Sequence, residues 1–167
     1  MPLEIERRFL VRSRLLPPLG TGRRLDQAYL SRSPEVRVRL ITDAAQTATG
    51  FITVKTDGGI TRAEYEYPVP PDHAREMLQL TPWSVIAKTR YKLPLDGLVW
   101  EIDAYEGDNA GLWSAEVELD SEDTAVTLPP WLAAEVTEER RFNNRNLAQH
   151  PLATWPDRDR ILALVAS

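Results

Sequence analysis

The chain has 167 residues, of which 43% are hydrophobic and 27% are charged, and this composition indicates one globular domain over residues 1–167. Its net charge of −5 argues against binding of nucleic acid through a broad basic surface, and without a membrane-length apolar run or a signal peptide we expect a cytoplasmic protein with no membrane partner. The lack of cysteine excludes disulfides and thiolate metal sites, and the two histidines, His73 and His150, disfavour His-based zinc sites and Ser/His/Asp triads.

Short segments punctuated by thirteen prolines and eight glycines favour strands over long helices. In chain order, strands are predicted at 3–11, 25–31, 35–41, 51–56, 60–69, 83–93, 98–107 and 110–120. A helix is predicted over 70–80, where a proline and an acidic residue open an apolar spacing typical of helices. The segments 128–151 and 155–167 are predicted to be mainly helical. The pattern therefore predicts eight strands in a meandering, mostly antiparallel order.

Charged and apolar residues alternate along most of these strands. In the first strand, Glu4, Glu6 and Arg8 alternate with apolar neighbours. Because successive side chains of a strand point to opposite faces, each charged set lies on one face. Later strands contribute Arg37, Arg39, Lys55, Arg62, Glu64, Glu66, Lys88, Arg90, Glu101, Asp103, Glu116 and Glu118 to the same pattern. The repeated face carries eight acids and seven bases.

Two architectures explain a repeated charged face. It is either the solvated side of an ordinary antiparallel sheet or sandwich, or the interior of an eight-stranded barrel whose apolar outside is covered by helices. Arginine dominates the bases, and its forked guanidinium suits phosphate recognition better than plain solubility. We therefore predict an α+β, mainly antiparallel β fold. Its centre is an eight-stranded closed or nearly closed barrel with a charged lumen, outer helices and a C-terminal helical segment.

The motifs on these strands resemble those of one superfamily. The segment EIERRFLV resembles the N-terminal ExExK signature of the CYTH, or triphosphate tunnel metalloenzyme, superfamily. Similar motifs follow in order: RVR (37–39), VK (54–55), EYE (64–66), KTRY (88–91), WEIDAYEG (100–107), AEVEL (115–119) and EVTEERRFNNRNLA (135–148). The resemblance, which is to the small bacterial inorganic triphosphatases, implies an antiparallel tunnel, a divalent metal and a triphosphate substrate. Arg8 departs from the signature's lysine, and arginine is not deprotonated in proteins.

The resemblance also implies roles for the charged face. The metal, Mg²⁺ or Mn²⁺, is assigned to Glu4, Glu6, Glu116 and Glu118, since hard cations prefer carboxylate oxygens. The substrate phosphates are assigned to Arg8, Arg37, Arg39, Lys55, Lys88 and Arg90. Catalysis is assigned to Lys88, Arg8 and Glu66, with Lys88 preferred over Arg8 for proton transfer. A second metal, or the organisation of neighbouring bases, is assigned to Glu64, Glu66 and Asp103.

Other residues receive structural interpretations, and other functions stay open. Tyr29 is assigned to the core, with the lumen as the alternative, and Arg62 and Glu101 are assigned to ion pairs. Arg140 and Arg141 are assigned to a solvated face, although the resemblance places this region near the mouth of the tunnel. The leading function is hydrolysis of inorganic tripolyphosphate to pyrophosphate and phosphate. The alternatives are a thiamine or nucleoside triphosphatase, a class IV adenylate cyclase, and a non-catalytic polyphosphate- or nucleotide-binding module. The acidic set argues against the last, because binding a polyanion alone does not require four carboxylates. A homodimer is also left open.

Overall fold

One antiparallel sheet of nine strands dominates the computed structural model, which describes residues 5–56 and 63–167. Its strands are β1 (Ile5–Val11), β2 (Arg23–Arg32), β3 (Glu35–Thr42), β4 (Ala48–Lys55), β5 (Glu64–Val69), β6 (Ile86–Leu95), β7 (Leu98–Tyr105), β8 (Trp113–Leu119) and β9 (Leu132–Glu135). The tight β6–β7 hairpin turns through Asp96 and Gly97, both at positive φ, a conformation that favours this residue pair. The predicted DGG turn at 57–59 and the start of the fifth predicted strand lie outside the described residues.

Three helices complete the fold in the described part of the chain. They are α1 (Pro71–Leu78), α2 (Asn144–Gln149) and α3 (Arg158–Ala166). Proline in the first turn and the acidic Asp72 explain why α1 begins where the sequence predicts it. None of the helices in the described residues is both long and apolar enough to span a lipid bilayer.

The sheet is open, so the predicted closed barrel is not confirmed. Its strand order is β5-β4-β3-β2-β6-β7-β8-β1-β9, and within the described residues β5 and β9 form the two edges. The ninth strand lies in a segment that was predicted to be helical. It pairs with the edge of β1 through Phe9 opposite Glu135 and Val11 opposite Leu132. Pairing with this free edge overrides the helix propensity of a segment rich in leucine, alanine and glutamate.

Strand register brings the predicted charged residues together on one face. Glu116 of β8 lies opposite Arg8 of β1 on one side and opposite Glu101 of β7 on the other. In the neighbouring pair, Arg90 of β6 lies opposite Asp103 of β7. Because paired residues of adjacent strands point to the same side, the alternation found in single strands extends across the sheet. We call this side, which carries Arg8, Arg90 and Glu116, the inner face.

Both faces of the sheet contribute to the hydrophobic core. On the outer face, α1 packs Ala74 and Leu78 against a buried cluster of β2 and β3 that includes Val38, as the prediction of outer helices requires. The C-terminal segment differs from that prediction. Its Leu147 packs in a cluster with Leu10, which shares the inner face with Arg8. The inner face is apolar at this end, and the C-terminal segment therefore covers one end of the inner face.

Candidate functional site

The inner face encloses a cavity of about 710 Å³. It is lined by charged residues that the sequence placed on the shared strand face: Glu6, Arg8, Arg37, Arg39, Lys55, Glu64, Glu66, Arg90, Glu101, Glu116 and Glu118. The remaining lining residues are Tyr29, Glu35, Arg140, Asn143, Asn144, Arg145 and Asn146. The wall therefore combines strands β1 to β8 with α2 and the residues that precede it.

The lining charges of the cavity balance. Seven acids and seven bases line it among the described residues, so the wall carries no net positive charge. Some pairs are close, such as Arg145 with Glu35 at 3.0 Å, whereas Arg37 with Glu66 and Lys55 with Glu64 are loose, at 3.8 and 3.7 Å. Loosely held cations can turn to a ligand at little cost. A polyanion that enters this cavity still needs additional positive charge.

Two carboxylates face each other at the edge of this wall. Glu6 of β1 lies directly opposite Glu118 of β8, and Glu118 forms no ion pair with any other described residue. Like charges opposite each other on adjacent strands are destabilising, and a divalent cation would reverse that effect. Among the described residues, no group of three or more His, Cys, Asp or Glu side chains converges on one point. Glu4, the fourth predicted ligand, lies outside the described residues.

The donor set nevertheless fits a hard divalent ion. Mg²⁺ commonly binds through one or two carboxylates, with waters and substrate phosphates completing its octahedron, rather than through an all-protein cage. Glu6 and Glu118 supply such a pair. Glu116 is less available, because Arg8 binds it with its Nε at 2.9 Å and its Nη2 at 2.8 Å.

Arg8 is held by three groups that surround its guanidinium. Besides Glu116, its Nη1 donates to Asn143 Oδ1 at 2.5 Å and its Nη2 lies 3.4 Å from Glu6 Oε1. Burial alone lowers the pKa of Arg8, but Glu116 and Glu6 outweigh it and raise the pKa above its ordinary value. Arg8 is thus a fixed positive charge between the acidic pair and α2. A lysine at this position could not occupy the same three directions.

Lys88 lies beneath the cavity wall rather than on it. Its side chain has no solvent exposure, and its Nζ donates to Asp103 Oδ2 at 2.8 Å and to Asn144 Oδ1 at 3.3 Å. Burial lowers the pKa of Lys88 to about 8, a shift that Arg90 reinforces and Asp103 opposes. Its proton is therefore exchangeable near neutral pH, which distinguishes Lys88 from the surrounding arginines.

Asp103 is also buried, and two cations bind it. Arg90 donates through Nε and Nη2 to the two carboxylate oxygens at 2.8 and 2.9 Å, and Lys88 binds the second oxygen. Burial raises the pKa of Asp103, but Lys88 and Arg90 overcome this effect and hold the pKa at about 2. Of the two roles predicted for Asp103, this geometry matches the organisation of neighbouring bases.

Arg39 is a cation of the inner face that lacks a carboxylate partner among the described residues. Its Nε donates to Gln27 Oε1 at 3.0 Å, and no acidic side chain of the described chain forms an ion pair with it. Burial lowers the pKa of Arg39 to about 10, and the nearby Arg37 and Arg90 add to this shift. A partly buried guanidinium without a carboxylate partner in a cavity is a strong attraction for an anion.

The sequence did not single out the asparagines that precede and begin α2. Asn143 binds Arg8 of β1, and Asn144 Oδ1 accepts from Lys88 of β6 and from the Tyr105 hydroxyl of β7 at 2.8 Å. The next residue, Arg145, binds Glu35 of β3. Three consecutive side chains thus connect strands from both halves of the open sheet. The run NNRN is the sequence signal that could have indicated this cluster of polar side chains.

Three structural interpretations can be compared with the observed positions. Tyr29 is buried, as predicted, but it also lines the cavity. Glu101 forms the predicted ion pair, with Arg90 Nη1 at 2.7 Å, and lines the cavity as well. Arg140 lines the cavity instead of belonging only to a solvated face. Arg62 lies outside the described residues.

Comparisons with known proteins agree with the motif order. The CYTH domain family model matches residues 2–148. A relative from Acetivibrio thermocellus described as an inorganic triphosphatase is 39% identical over 161 residues, which cover 94% of this chain and 100% of the relative. Another inorganic triphosphatase, from Nitrosomonas europaea, is 38% identical over 152 residues, which cover 87% and 96%. A crystal structure of an inorganic triphosphatase matches with a TM-score of 0.70 and 34% identity, covering 89% of this chain and 95% of that chain.

Proposed function

The chain belongs to the CYTH domain family, and from that premise we propose that it is an enzyme that hydrolyses inorganic tripolyphosphate to pyrophosphate and phosphate. The observation that carries the proposal is one cavity lined by five of the six predicted phosphate-binding residues, all except Lys88, together with acidic residues from strands β1 to β8. Its walls offer guanidinium and ammonium groups to phosphate oxygens and carboxylates to a cation. This combination suits a phosphoanhydride substrate better than a neutral one.

We assign the divalent cation, Mg²⁺ or Mn²⁺, to Glu6 and Glu118, with Glu116 as a helper and Glu4 as a further ligand. The ion supplies the positive charge that a balanced wall lacks and neutralises charge that develops on the phosphates. Two members of the second predicted acidic group, Glu64 and Glu66, lie on β5. This strand is at the opposite edge of the sheet from β1 but lines the same cavity.

Some residues of the cavity bind the phosphates, and others transfer protons during the reaction. Arg39 and Arg37 bind phosphate oxygens, joined by Lys55, Arg8 and Arg90. Water attacks the terminal phosphorus in line, and the bond from that phosphorus to the bridging oxygen breaks to release pyrophosphate. Lys88 holds at Nζ a proton for the leaving oxygen, and because Lys88 lies beneath the cavity wall a water must carry this proton from Nζ into the cavity. The remaining predicted catalytic residue, Glu66, accepts a bond from Thr53 Oγ1 at 3.1 Å, orients the water and accepts the proton that the water loses as it attacks.

The substrate range is the first test. We expect inorganic tripolyphosphate to be hydrolysed at least about tenfold faster than ATP or thiamine triphosphate, a difference of about 1.4 kcal/mol in activation free energy. The reason is that Tyr29 is the single aromatic side chain among the described residues of the cavity wall, so an organic base finds little to stack on. Phosphate release measured over this panel in the presence of Mg²⁺ checks the ranking. Equal turnover of ATP, or formation of cyclic AMP, would contradict it and favour the nucleotide alternatives.

Arg39 provides the second test. We expect Arg39→Gln to raise KM for tripolyphosphate by about tenfold or more, because it removes a partly buried cation that has no carboxylate partner among the described residues. The melting temperature of the ligand-free variant should stay the same or rise, since repulsion from Arg37 and Arg90 is relieved. Steady-state kinetics and thermal denaturation measure the two effects. A lower melting temperature with an unchanged KM would make Arg39 a structural residue.

Three further expectations belong to the proposal. We regard residues 1–167 as one domain, because the family match and the described sheet together extend over most of the chain. The absence of cysteine favours a cytoplasmic location. A homodimer remains a prediction, and gel filtration with light scattering would test it.

A further inference from the structure

A second cavity of about 370 Å³ adjoins the main one on the inner face. Arg39, Arg90 and Glu101 line both cavities and separate them. The wall of the second cavity adds Arg23 of β2 and Lys92 of β6, neither of which belongs to the motifs that the sequence singled out. The cavity therefore continues the site with residues that have no assigned role.

The second cavity carries excess positive charge. Arg90 is neutralised by Glu101 and Asp103, which bind it at 2.7 and 2.8 Å. Arg23, Lys92 and Arg39, in contrast, form no ion pair with any described residue. Three cations without an ion pair, the exposed Arg23 and Lys92 and the partly buried Arg39, thus face a cavity whose one acidic lining residue is already engaged.

Strand register places the charge of Arg23 next to Arg90. Arg23 lies directly opposite Arg90 across the β2–β6 pair. Glu101 and Asp103 already neutralise Arg90, so the uncompensated positive charge of this pair belongs to Arg23. An anion bound here would therefore pair with Arg23 without displacing a carboxylate.

The chemistry of the wall restricts the ligand. No free carboxylate lines the cavity among the described residues, so nothing there would hold a divalent ion. Leu25 and Ile41 form an apolar part of the wall, which offers no polar partner to a long charged chain. A small inorganic anion that binds without a metal fits best. Hydrolysis in the main cavity produces such anions next to this wall.

We propose that the second cavity is a product subsite, which binds orthophosphate or pyrophosphate as it leaves the main cavity past Arg39. The proposal rests on the proposed function only for the origin of the anion. Arg39, shared by both cavities, passes the anion to Arg23 and Lys92. Occupancy of the subsite slows the release of the next product molecule without blocking the entry of tripolyphosphate.

Product inhibition tests this assignment with the double variant Arg23→Gln/Lys92→Gln. We expect the non-competitive inhibition constants of orthophosphate and pyrophosphate to rise at least fivefold, with KM for tripolyphosphate within twofold of wild type. The matched control is Arg24→Gln/Arg158→Gln, which removes the same charge from exposed residues outside both cavities and should leave inhibition unchanged. If KM rises by the same factor as the inhibition constants, the two residues bind substrate, and the product subsite is wrong.

Calorimetry of the full-length protein with EDTA and orthophosphate, and in parallel pyrophosphate, needs no turnover. We expect wild type and the control to bind at least one of these anions, and the double variant to bind it at least fivefold more weakly. Equal binding by the double variant, or no binding by wild type, would overturn the subsite. A protein that binds the anion but hydrolyses no triphosphate would contradict the proposed function while leaving the anion site in place.

Discussion

Replacement of Lys88 by methionine is expected to lower kcat for tripolyphosphate at least about a hundredfold, equivalent to about 2.7 kcal/mol of activation free energy. Lys88 is a fully buried basic group whose pKa, lowered by burial to about 8, lies near neutral pH. Methionine has a similar length but no proton to give. The arginines around the cavity cannot replace it, because they stay charged at any working pH. Phosphate release under saturating substrate measures the loss.

Two comparisons separate this role from a general loss of positive charge. Arg158→Met removes an exposed arginine of α3 and should leave kcat unchanged. Arg8→Lys keeps the charge but loses the three-way contact of the guanidinium, so it should change KM or kcat modestly and leave the basic limb of the pH–rate profile in place. If Lys88→Met retained more than a fifth of wild-type kcat while Arg8→Lys moved that limb, the two assignments would have to be exchanged.

Stability provides a readout of Lys88 that does not depend on turnover. The pKa of Lys88 is about 8 in the folded chain, against an ordinary value of 10.5. Between these pH values the unfolded chain holds a proton that the folded chain has released, so the unfolding free energy of wild type rises with pH. Lys88→Met lacks this contribution. The unfolding free energy of wild type minus that of the variant should therefore increase as pH rises through the window.

The inner face was predictable because it follows from local geometry. Side-chain direction alternates along every strand, so Arg37, Arg39, Glu116 and Glu118 could be placed on one face without knowledge of strand order. Antiparallel register then aligned these faces across the sheet. The cavity lies on the inner face because charged side chains recur at every second position of the strands that form its wall.

Sheet closure was not predictable in the same way. Closure depends on which strand reaches the free edge of β1, and that choice is made by tertiary pairing. The edge is occupied by Leu132–Glu135, a four-residue strand whose sequence favours helix by propensity. The open order of the sheet follows from this one pairing.

Burial also separates residues that look equivalent in the sequence. Lys88 and Lys92 lie on the same face of β6, yet Lys88 has no solvent exposure and Lys92 is exposed. The difference arises because α2 lies against one end of the inner face and brings Asn144 to Lys88. Asn144 itself belongs to a short helix with no amphipathic period, so no pattern could assign its partner.

Neutralisation of Glu118 is expected to reduce triphosphatase activity on the order of a hundredfold without destabilising the protein. Glu118→Gln removes one of two carboxylates that face each other across β1 and β8 and leaves Glu6 to hold a divalent ion with only Glu4 and the Arg8-bound Glu116. In EDTA the melting temperature should be unchanged or raised, because repulsion from Glu6 is relieved. Metal titration of activity, metal affinity by calorimetry and thermal denaturation together measure these effects.

The exposed Glu122→Gln is the matched control, since it makes the same chemical change outside the cavity and should leave the metal titration unaltered. In wild type, EDTA should weaken tripolyphosphate binding, because the seven acids and seven bases of the wall leave no net charge to attract a polyanion. If the EDTA-treated protein bound tripolyphosphate as tightly as the Mg²⁺ form, the cation would not bridge wall and substrate. A melting temperature lowered by several degrees in Glu118→Gln would instead assign this carboxylate to the structure of the sheet, because removal of a purely repulsive charge cannot destabilise it.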